Sequence, residues 1–543
     1  MRRLYNLRLV LAWICSIPAA FFTVGFLGDY YPALVEIVLI TVLVQSAAAL
    51  ASYRLLGKAV HLRSSGPAGL PLAAALIAVL AVFALTMLRM ANQFPRLFDA
   101  RMILLDDRQI IPFVAGSFLA VPVLAWGVRR WSIEKSRMLQ IIDGVLTGLL
   151  VAAFFFAVYF IFASIFNRPA FDVDDIFFDS DGLLWRARFT TDVYRDYYWR
   201  PVHPFVLLIV RPVVSLVSFL LRGDRLAAAF LLIAFAGAAC VFLAWFFVKK
   251  IVRNSRYAAL MASLLGASSA HLVFGSLIET YILLAAVVIF YFAALVQEAP
   301  QSVLALTGLL SFGITVTNFV QTVIANICVK RDVRQWINYC MLVAALTIPL
   351  SVLNNTIYRD SQPYFFDPAS FSSEAENTFA PSVDRGLAVL RVMFLHSIVA
   401  PDPLILHEEI PFLKVWMFKA DPLRVSAYDT WPGSALARLW LAFLVLGGCF
   451  YLKNFRRDDD RYSAAFILIL VFNLLLHLRY GKDVFLYSTN WTYAIILWLA
   501  LAWRDLAHKP WFQGVLLLLL VLVLANNSRL IHTMLSTAAL HIK

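Results

Sequence analysis

Apolar runs of about 20 residues recur along the whole chain and alternate with short polar stretches. Each run is long enough to cross the roughly 30 Å hydrocarbon core of a bilayer as an α-helix. We therefore predict an all-α polytopic membrane protein with roughly 13–15 transmembrane helices. The predicted spans are approximately 8–27, 33–52, 70–89, 110–127, 140–166, 226–248, 257–272, 280–297, 301–328, 335–353, 435–452, 462–478, 484–503 and 511–528.

Two stretches do not follow the simple pattern. In 301–328 the sequence GITVTN brings β-branched residues and glycine into an apolar run, which predicts two half-helices that meet beside a cavity. The segment 201–225 begins with His-Pro and has Arg-Pro in its middle. A membrane crossing there would reverse the charge pattern of every later loop. We therefore predict a helix over 203–221 that lies in the membrane interface.

The composition agrees with a surface that faces lipid. Of the 543 residues, 62% are hydrophobic and 15% are charged, and the mean hydropathy is +0.79. A soluble protein carries about a quarter charged residues. The five cysteines lie in or beside apolar runs, with no CxxC or Cys/His spacing that predicts a disulfide framework or a zinc site. The first apolar run lacks a small-residue cleavage site, so we expect it to be retained as a helix.

The net charge of +13 is explained by topology. Basic clusters alternate with weakly charged or acidic loops, as the positive-inside rule requires. The long loop 354–434 holds ten acidic and six basic residues. We predict a bacterial cytoplasmic (inner) membrane protein with a cytoplasmic N-terminus and this loop on the periplasmic or exterior side. The surrounding partner is then membrane lipid, and no nucleic-acid partner is predicted. The basic clusters are 1–8, 53–66, 129–137, 249–256, 330–334, 453–461 and 504–509.

This pattern predicts four regions along the chain. Residues 1–130 form a four-helix membrane extension, and 131–353 form a membrane module with an outward loop at 167–201. The region 354–434 is a large non-cytoplasmic loop, and 435–543 are C-terminal transmembrane helices. Within the large loop, the amphipathic stretch EIPFLKVWMFKA is expected to fold back onto the membrane.

Charged residues crowd the outward loop. Seven aspartates and five arginines lie between Asn167 and Phe205, around the sequence FDSDG at 178–182. A carboxylate at a membrane surface can act as a general base toward a hydroxyl group, and arginine can bind a phosphate with two hydrogen bonds. Together they suit a reaction whose leaving group is a lipid-linked phosphate. A solvated loop in which these charges merely pair is the alternative. The candidates are Asp172, Asp174, Asp175, Asp179, Asp181, Arg186, Arg188, Arg195, Arg200 and His203.

The order of motifs resembles the GT-C glycosyltransferases. A membrane helix, an outward loop with Asp-x-Asp, an HPF segment that opens an interfacial helix, and a helix that ends in KK follow one another. SLIETY (276–281), GITVTNFVQ (313–321) and KDVFLYSTNW (482–491) continue the resemblance, which covers about 140–530. Residues 1–130 lie outside it.

The resemblance implies an inverting transfer of a sugar from a polyprenyl-phosphate donor. The acceptor would be a glycan such as lipopolysaccharide, a lipid or a protein on the outer face of the membrane. Asp181 would serve as catalytic base, with Asp179 as the second candidate, because FDSDG differs from the usual Asp-Glu pair. His203 is a candidate substrate-binding residue that would either orient the aspartate loop or act in catalysis.

Further substrate-binding residues follow from the same motifs. Asn318 stands where the family often has lysine, so the positive charge for the phosphate would come from Arg200, Arg211 or Lys482. Glu279 is an ionisable residue in an apolar context, which predicts a site if it lines a polar cavity. If the helix begins directly after it, Glu279 is an ordinary interfacial residue. Asn490 near an outward helix end can hydrogen-bond a sugar.

Several alternatives stay open at this point. The chain has no GxxxxGK[ST] motif, which favours a lipid-linked donor over a nucleotide sugar. Asp-x-Asp can ligate Mg²⁺ or Mn²⁺, but many similar enzymes need no metal. The rival functions are a transporter of lipid-linked saccharide and an O-antigen polymerase or ligase. The last would depend on Arg and His residues in 354–434.

Overall fold

The computed structural model describes residues 2–64, 69–133, 137–170, 176–194, 200–359, 361–407, 413–455 and 460–542. Asp172, Asp174, Asp175 and Arg195 of the outward loop lie outside these ranges. The α-helices within the described ranges are α1 (Arg2–Gly28), α2 (Leu34–Ser64), α3 (Gly69–Asn92), α4 (Asp107–Ile133), α5 (Arg137–Phe166), α6 (Gly182–Thr190), α7 (Val206–Leu220), α8 (Arg225–Val252), α9 (Ser255–Ala267), α10 (Ser269–Phe274), α11 (Thr280–Val296), α12 (Gln301–Ile314), α13 (Phe319–Lys330), α14 (Val333–Ile357), α15 (Val383–Arg391), α16 (Trp431–Lys453), α17 (Asp460–His477), α18 (Thr489–Ala502) and α19 (Pro510–His541).

The long apolar helices confirm a predominantly helical, multi-pass membrane protein. Among the described residues, nine helices are long and apolar enough to cross a membrane. Five shorter apolar helices of the described chain have 14–18 residues, and they are α7, α11, α12, α17 and α18. At 1.5 Å per residue, these fall short of a hydrocarbon core of about 30 Å. The nine long helices are therefore fewer than the 13–15 spans predicted.

Two predicted spans are interrupted by side-chain caps. The span expected over 257–272 is divided at Ser268, whose hydroxyl accepts from the His271 backbone N–H at 3.3 Å and so starts α10. The span expected over 484–503 begins instead with a 3₁₀ turn at Val484–Tyr487, which Asp483 caps through the Phe485 N–H at 2.9 Å. In both places a polar side chain satisfies backbone groups that a continuous helix would pair internally.

The break predicted within 301–328 is present. Helix α12 ends at Ile314, a 3₁₀ turn follows at Val316–Asn318, and α13 begins at Phe319. The helix predicted over 203–221 is α7. Its outer side carries exposed apolar residues such as Leu216 and Phe219, which are 65% and 80% exposed. A short helix with one buried face and one apolar exposed face suits the membrane interface.

Strands replace part of the expected loop in 354–434. β1 (Leu404–His407) pairs antiparallel with β2 (Leu413–Trp416), and β3 (Phe418–Lys419) pairs antiparallel with β4 (Arg424–Val425). The stretch EIPFLKVWMFKA was expected to be amphipathic and to fold back onto the membrane, yet its described part forms β2 and β3. The alternation of apolar and polar residues there fits a strand, whose side chains point to alternate faces.

The chain divides into two compact units. The first comprises Met1–Ala78 and Phe98–Leu150. There α2 packs against α1 and α4, and one core cluster contains Ala12, Ala49, Tyr53, Leu124 and Val128. A Cβ atom at Gly116 would lie 2.7 Å from the Thr41 Cβ atom, so glycine allows α4 to approach α2 closely.

The second unit comprises Val79–Leu97 and Val151–Lys543. Buried aromatic rings of α8, α11, α17 and α18 pack at its centre, including Phe292 and Phe466 with ring centroids 4.5 Å apart. Asn527 of α19 donates to the carbonyl oxygens of Ala267 and Ile398, at 2.8 and 2.7 Å. The Asn527 side chain therefore joins α9 and α19 to the large loop. The large loop is the part of the fold that extends to the candidate functional site.

Candidate functional site

A turn at FDSDG begins the site. The Phe178 N–H donates to the Val415 carbonyl oxygen at 2.7 Å, and the Val415 N–H donates to Ile176 at 2.8 Å, so the segment runs beside β2. Phe178 and Asp179 both have left-handed backbone angles, with φ of 61° and 59°. Such angles cost roughly 1 kcal/mol or more for residues other than glycine. The buried Phe178 ring, 5.0 Å from the Phe485 ring, holds this strained turn in place.

Asp181 connects two charged residues from distant parts of the chain. Its backbone N–H donates to Glu279 Oε1 at 2.7 Å. Its carboxylate accepts from Arg200 Nη2 at 2.5 Å, and both side chains are about four-fifths buried. The ion pair is therefore short and mostly shielded from solvent, which strengthens it relative to a surface pair.

Glu279 is fixed by the SLIETY segment. The buried Asn167 side chain donates to the Ser276 carbonyl oxygen at 2.9 Å and accepts from the Ile278 N–H at 2.7 Å. Glu279 then caps α11 by accepting from the Thr280 N–H at 3.0 Å. The side chain is fully buried. Burial, and next the charge of Asp181, raise the pKa of Glu279 well above its ordinary value.

His203 joins the HPF segment to the helix break. Its Nδ1–H donates to the Ile314 carbonyl oxygen, and the Val316 N–H donates to the Val202 carbonyl oxygen at 2.9 Å. The ring lies edge-on to Trp185, with centroids 4.9 Å apart. Burial lowers the pKa of His203 to about 4, so the imidazole is neutral at neutral pH. His203 therefore positions the loop and the break.

These elements enclose a small pocket, which we call the carboxylate pocket. Its volume is about 20 Å³, enough for a single water molecule. Burial by itself lowers the pKa of Arg200, but the charges of Asp181 and Glu374 raise it above its ordinary value, so the guanidinium stays charged. The pocket is lined by Asp179, Asp181, Arg200, Val202, His203, Tyr281, Asn377, Tyr480, Leu486 and Tyr487.

A larger space, which we call the large cavity, adjoins the carboxylate pocket. It has a volume of about 390 Å³ and a mostly apolar lining. It shares Val202, Tyr281, Tyr480 and Tyr487 with the carboxylate pocket. A charged pocket beside a roomy, mainly apolar cavity is the arrangement expected for a ligand with a polar head and an apolar part. Its remaining lining residues are Thr315, Thr317, Asn318, Phe371, Glu374, Ala375, Thr378, Leu476, His477 and Asn490.

The large loop holds the shared Tyr480 in place. The Tyr480 hydroxyl donates to Glu374 Oε2 at 2.6 Å, and the Gly481 N–H donates to the Asn377 carbonyl oxygen at 2.9 Å. Arg385, which is buried, donates to four carbonyl oxygens of the turn between α17 and the 3₁₀ turn at Val484–Tyr487. Those of Leu478 and Gly481 are both 3.0 Å away. Segment 374–385 is therefore part of the wall of the site.

Most residues predicted from the sequence lie at these two spaces. Asp179, Asp181, Arg200 and His203 line the carboxylate pocket, and Glu279 binds the Asp181 backbone. Asn318 and Asn490 line the large cavity. The residues came from five separate motifs, and only the tertiary fold brings them together.

Arg211 and Lys482 line neither space. Arg211 donates to the carbonyl oxygens of Phe189 and Thr191, at 3.0 and 2.7 Å, and to Asp192 Oδ1 at 2.8 Å. It ties α7 to the end of α6. The backbone carbonyl of Lys482 accepts from the Ala420 N–H at 3.0 Å, which joins this segment to β3.

Sequence reasoning missed several wall residues. Tyr281 and Tyr487 belong to the motifs SLIETY and KDVFLYSTNW. The sequence therefore did indicate that they lie near the site. His477 and Tyr480 end a predicted helix and start the following turn. Glu374 lies in the unremarkable stretch SSEAEN, where nothing in the sequence marks it.

The described residues contain no cluster of metal ligands. Within the described part of the chain, no group of three or more His, Cys, Asp or Glu side chains could hold a metal ion. Asp181 is paired with Arg200 rather than free to ligate.

Fold and site together define a multi-pass membrane protein with a buried charged pocket beside a mainly apolar cavity. Comparison of the chain with protein-family models, curated proteins and solved structures found no match. The resemblance to GT-C glycosyltransferases therefore stays a prediction from the motifs.

Proposed function

We propose that this protein is an inverting membrane glycosyltransferase that moves a sugar from a polyprenyl-phosphate donor to a glycan, lipid or protein acceptor. The observation that carries the proposal is the Asp181–Arg200 ion pair in the carboxylate pocket, directly beside the large cavity. A base and a fixed cation next to an apolar space match a reaction in which an acceptor attacks and a lipid phosphate leaves.

The reaction is a single displacement at the anomeric carbon. The acceptor oxygen forms a bond to that carbon, and the bond between the carbon and the phosphate oxygen breaks. The electron pair leaves with the polyprenyl phosphate, and the acceptor proton passes to the carboxylate of Asp181. Arg200 exchanges Asp181 for the departing phosphate, which frees the base and stabilises the leaving group.

Asp181 is the base that the contacts favour. Glu279 is fully buried and accepts from the Asp181 and Thr280 backbone N–H groups. Its role is to position Asp181. Asp179 lines the same pocket from the strained turn and is the second candidate.

The membrane side follows from the charge pattern. The basic clusters predict that the outward loop and 354–434 lie on the periplasmic or exterior face of a bacterial inner membrane. Donor and acceptor would then meet outside the cytoplasm.

The test is transfer by the purified chain in proteoliposomes with a synthetic polyprenyl-phosphate hexose radiolabelled in the sugar. We expect Asp181→Asn to lower the turnover of the donor by about 10²–10⁴-fold, because the proton acceptor is lost, and to leave donor binding in place. Asp192→Asn is the matched control. Asp192 belongs to the same loop but is largely exposed and pairs with Arg211 and Arg225 outside the pocket.

Other outcomes separate the rival functions. Transfer that survives Asp181→Asn and Asp179→Asn but is lost in Arg391→Gln or His396→Gln would favour a polymerase or ligase that uses the large loop. Movement of the lipid across the bilayer without cleavage of the sugar–phosphate bond would favour a transporter.

A further inference from the structure

A chain of buried hydrogen bonds runs from the large cavity into the helical core. Gln321, in the first turn of α13, donates through Nε2 to the Oδ1 atom of Asn318. The other amide atom of Gln321, Oε1, accepts from the hydroxyl group of Tyr493 on α18 at 2.5 Å. Asn318, Gln321 and Tyr493 are at most 2% exposed, and of the three only Asn318 lines the large cavity. The chain of hydrogen bonds therefore ends at the cavity wall.

Asn318 does not use its side chain as a residue before a helix usually does. It directly precedes α13, a position where an asparagine side chain commonly accepts from a free backbone N–H of the first turn. The Asn318 side chain makes no such hydrogen bond, and its Oδ1 atom instead accepts from Gln321 Nε2. The direction of the Asn318 amide is therefore set by Gln321 rather than by the helix backbone.

The amide nitrogen of Asn318 is the part of this chain that can meet a ligand. Within the described residues, Asn318 Nδ2 makes no hydrogen bond, yet it is not one of the polar atoms that are both enclosed by protein and without a partner. It therefore keeps access to free space. Since Asn318 lines the large cavity, Nδ2 presents an N–H donor to that cavity. The cavity shares part of its lining with the carboxylate pocket.

The far end of the chain is fixed by packing. The Tyr493 ring lies beside the rings of Phe292 and Phe466, with centroids 6.3 and 6.5 Å away. All three rings are fully buried in the close-packed core, so the Tyr493 hydroxyl is a fixed anchor for Gln321. Buried hydrogen bonds in a chain also strengthen one another. The anchored hydroxyl and Gln321 thus hold the Asn318 amide in one orientation.

We propose that Gln321 and Tyr493 are positioning residues, which hold the Asn318 amide so that Nδ2 donates to an oxygen of the head group of the lipid-linked donor. The inference rests on the proposed function, which supplies this ligand. The oxygen belongs either to the phosphate or to the sugar, and both offer the acceptor that an amide N–H requires. Gln321 and Tyr493 line neither space, so both act through Asn318.

The test measures dissociation constants for polyprenyl phosphate and polyprenyl-phosphate glucose with the purified full-length chain in nanodiscs. We expect Asn318→Ala to weaken binding about tenfold, because one hydrogen bond to the ligand is lost. Weaker binding of both probes assigns the acceptor oxygen to the phosphate, and weaker binding of the glucose probe alone assigns it to the sugar. Tyr493→Phe removes only the hydroxyl group and should weaken binding of the same probe or probes by about threefold to tenfold.

Tyr291→Phe is the matched control. The Tyr291 hydroxyl accepts from Nδ2 of Asn326, which lies on the same helix α13, at 2.8 Å. Tyr291 and Asn326 are fully buried but line neither space. The loss of an interhelical hydrogen bond would by itself act alike in both tyrosine variants, whereas we expect only Tyr493→Phe to change the dissociation constants. A dissociation constant does not depend on how much of a variant is folded.

A double-mutant cycle shows whether the effect passes through Asn318. Gln321→Met should weaken binding by about threefold or more in the wild-type chain, but by less than about twofold in the Asn318→Ala background. In that background the amide that Gln321 orients is already absent. An equal effect in both backgrounds would overturn the positioning role.

The proposed function and this inference fail differently. If wild type binds neither probe, the proposed function fails and the inference falls with it. If wild type binds either probe but Asn318→Ala keeps both dissociation constants, the inference is overturned while the proposed function stands. Unchanged constants in Tyr493→Phe and Gln321→Met would overturn the positioning role in the same way.

Discussion

Two neighbouring carboxyl groups at the site are held in different ways. Asp181 has a guanidinium partner at 2.5 Å, whereas Glu279 is fully buried and accepts from backbone N–H groups. Burial raises the pKa of Glu279, so it holds a proton more readily than an exposed glutamate. Asp181 keeps a cationic partner that a phosphate can replace. Under the proposed function, Glu279 positions the turn and Asp181 accepts the proton.

Arg211 gives a direct test of residue roles. We expect Arg211→Gln to lower the free energy of unfolding by roughly 2 kcal/mol, because it leaves two backbone carbonyl oxygens without their donor. The KM for the donor should stay unchanged, since Arg211 lines neither space. Thermal unfolding in detergent and steady-state kinetics measure the two effects.

Two comparisons make that test specific. Arg225→Gln removes another partner of Asp192. The Arg225 side chain is 39% exposed, so the free energy of unfolding should change by less than about 1 kcal/mol. Arg200→Gln should raise the KM for the donor. If Arg211→Gln raises the KM for the donor, Arg211 contributes to phosphate binding, as the sequence predicted.

At the scale of elements, the site forms where short segments meet helix ends. The HPF segment pairs with the break between α12 and α13, and the FDSDG turn runs beside β2. Asp483 accepts from the Met417 and Phe485 N–H groups, both at 2.9 Å, and so joins the strands to α18. Burial raises the pKa of Asp483 to about 7. The large loop is thus built into the site.

A substitution of Arg385 tests whether the large loop positions the wall of the site. Arg385→Met keeps the length of the side chain but removes its hydrogen bonds to the carbonyl oxygens of His477, Leu478, Tyr480 and Gly481. We expect a loss of about 10²-fold in kcat/KM, because a shift of about 1 Å in the wall misplaces the donor. Transfer assays on the purified variant measure it.

The matched control is Arg424→Met, since Arg424 belongs to the same large loop but is exposed on β4. It should retain wild-type kinetics. Arg385→Met protein with a normal kcat/KM and a normal KM for the donor would show that the loop wall does not position the donor.

At the scale of the whole molecule, the proposal requires the large loop and the basic clusters to lie on opposite sides of the membrane. We expect Leu387→Cys, in the large loop, to react with a membrane-impermeant maleimide in intact spheroplasts. Phe455→Cys, in the basic segment after α16, should react only after permeabilisation. Both positions are more than half exposed, and the five native cysteines are first replaced by alanine.

Labelling of both cysteines before permeabilisation would show a leaky preparation, so a cytoplasmic marker enzyme is assayed in the same sample. In sealed spheroplasts, labelling of Phe455→Cys alone would reverse the predicted orientation and place the site on the cytoplasmic side.

The sequence predicted local features well because they depend on local chemistry. Apolar length identified the long helices, and the glycine and β-branched residues of GITVTN located the break. The strands of the large loop were missed, because a short alternating stretch reads equally as an amphipathic helix or a strand. The interrupted helices at Ser268 and Asp483 were missed because a single cap decides whether a short apolar run continues.

The sequence by itself determined the membrane class, the helix break and the identity of the charged residues, since hydropathy and residue type act locally. Only the tertiary structure decided which charges share a pocket. In the folded chain Arg200 forms an ion pair with Asp181, Arg211 donates to backbone carbonyl groups, and Glu374 lines the large cavity. The hydrogen bonds of these residues join positions that are 19, 20 and 106 apart. Burial and hydrogen bonding in the folded chain select them from many combinations that the sequence allows equally.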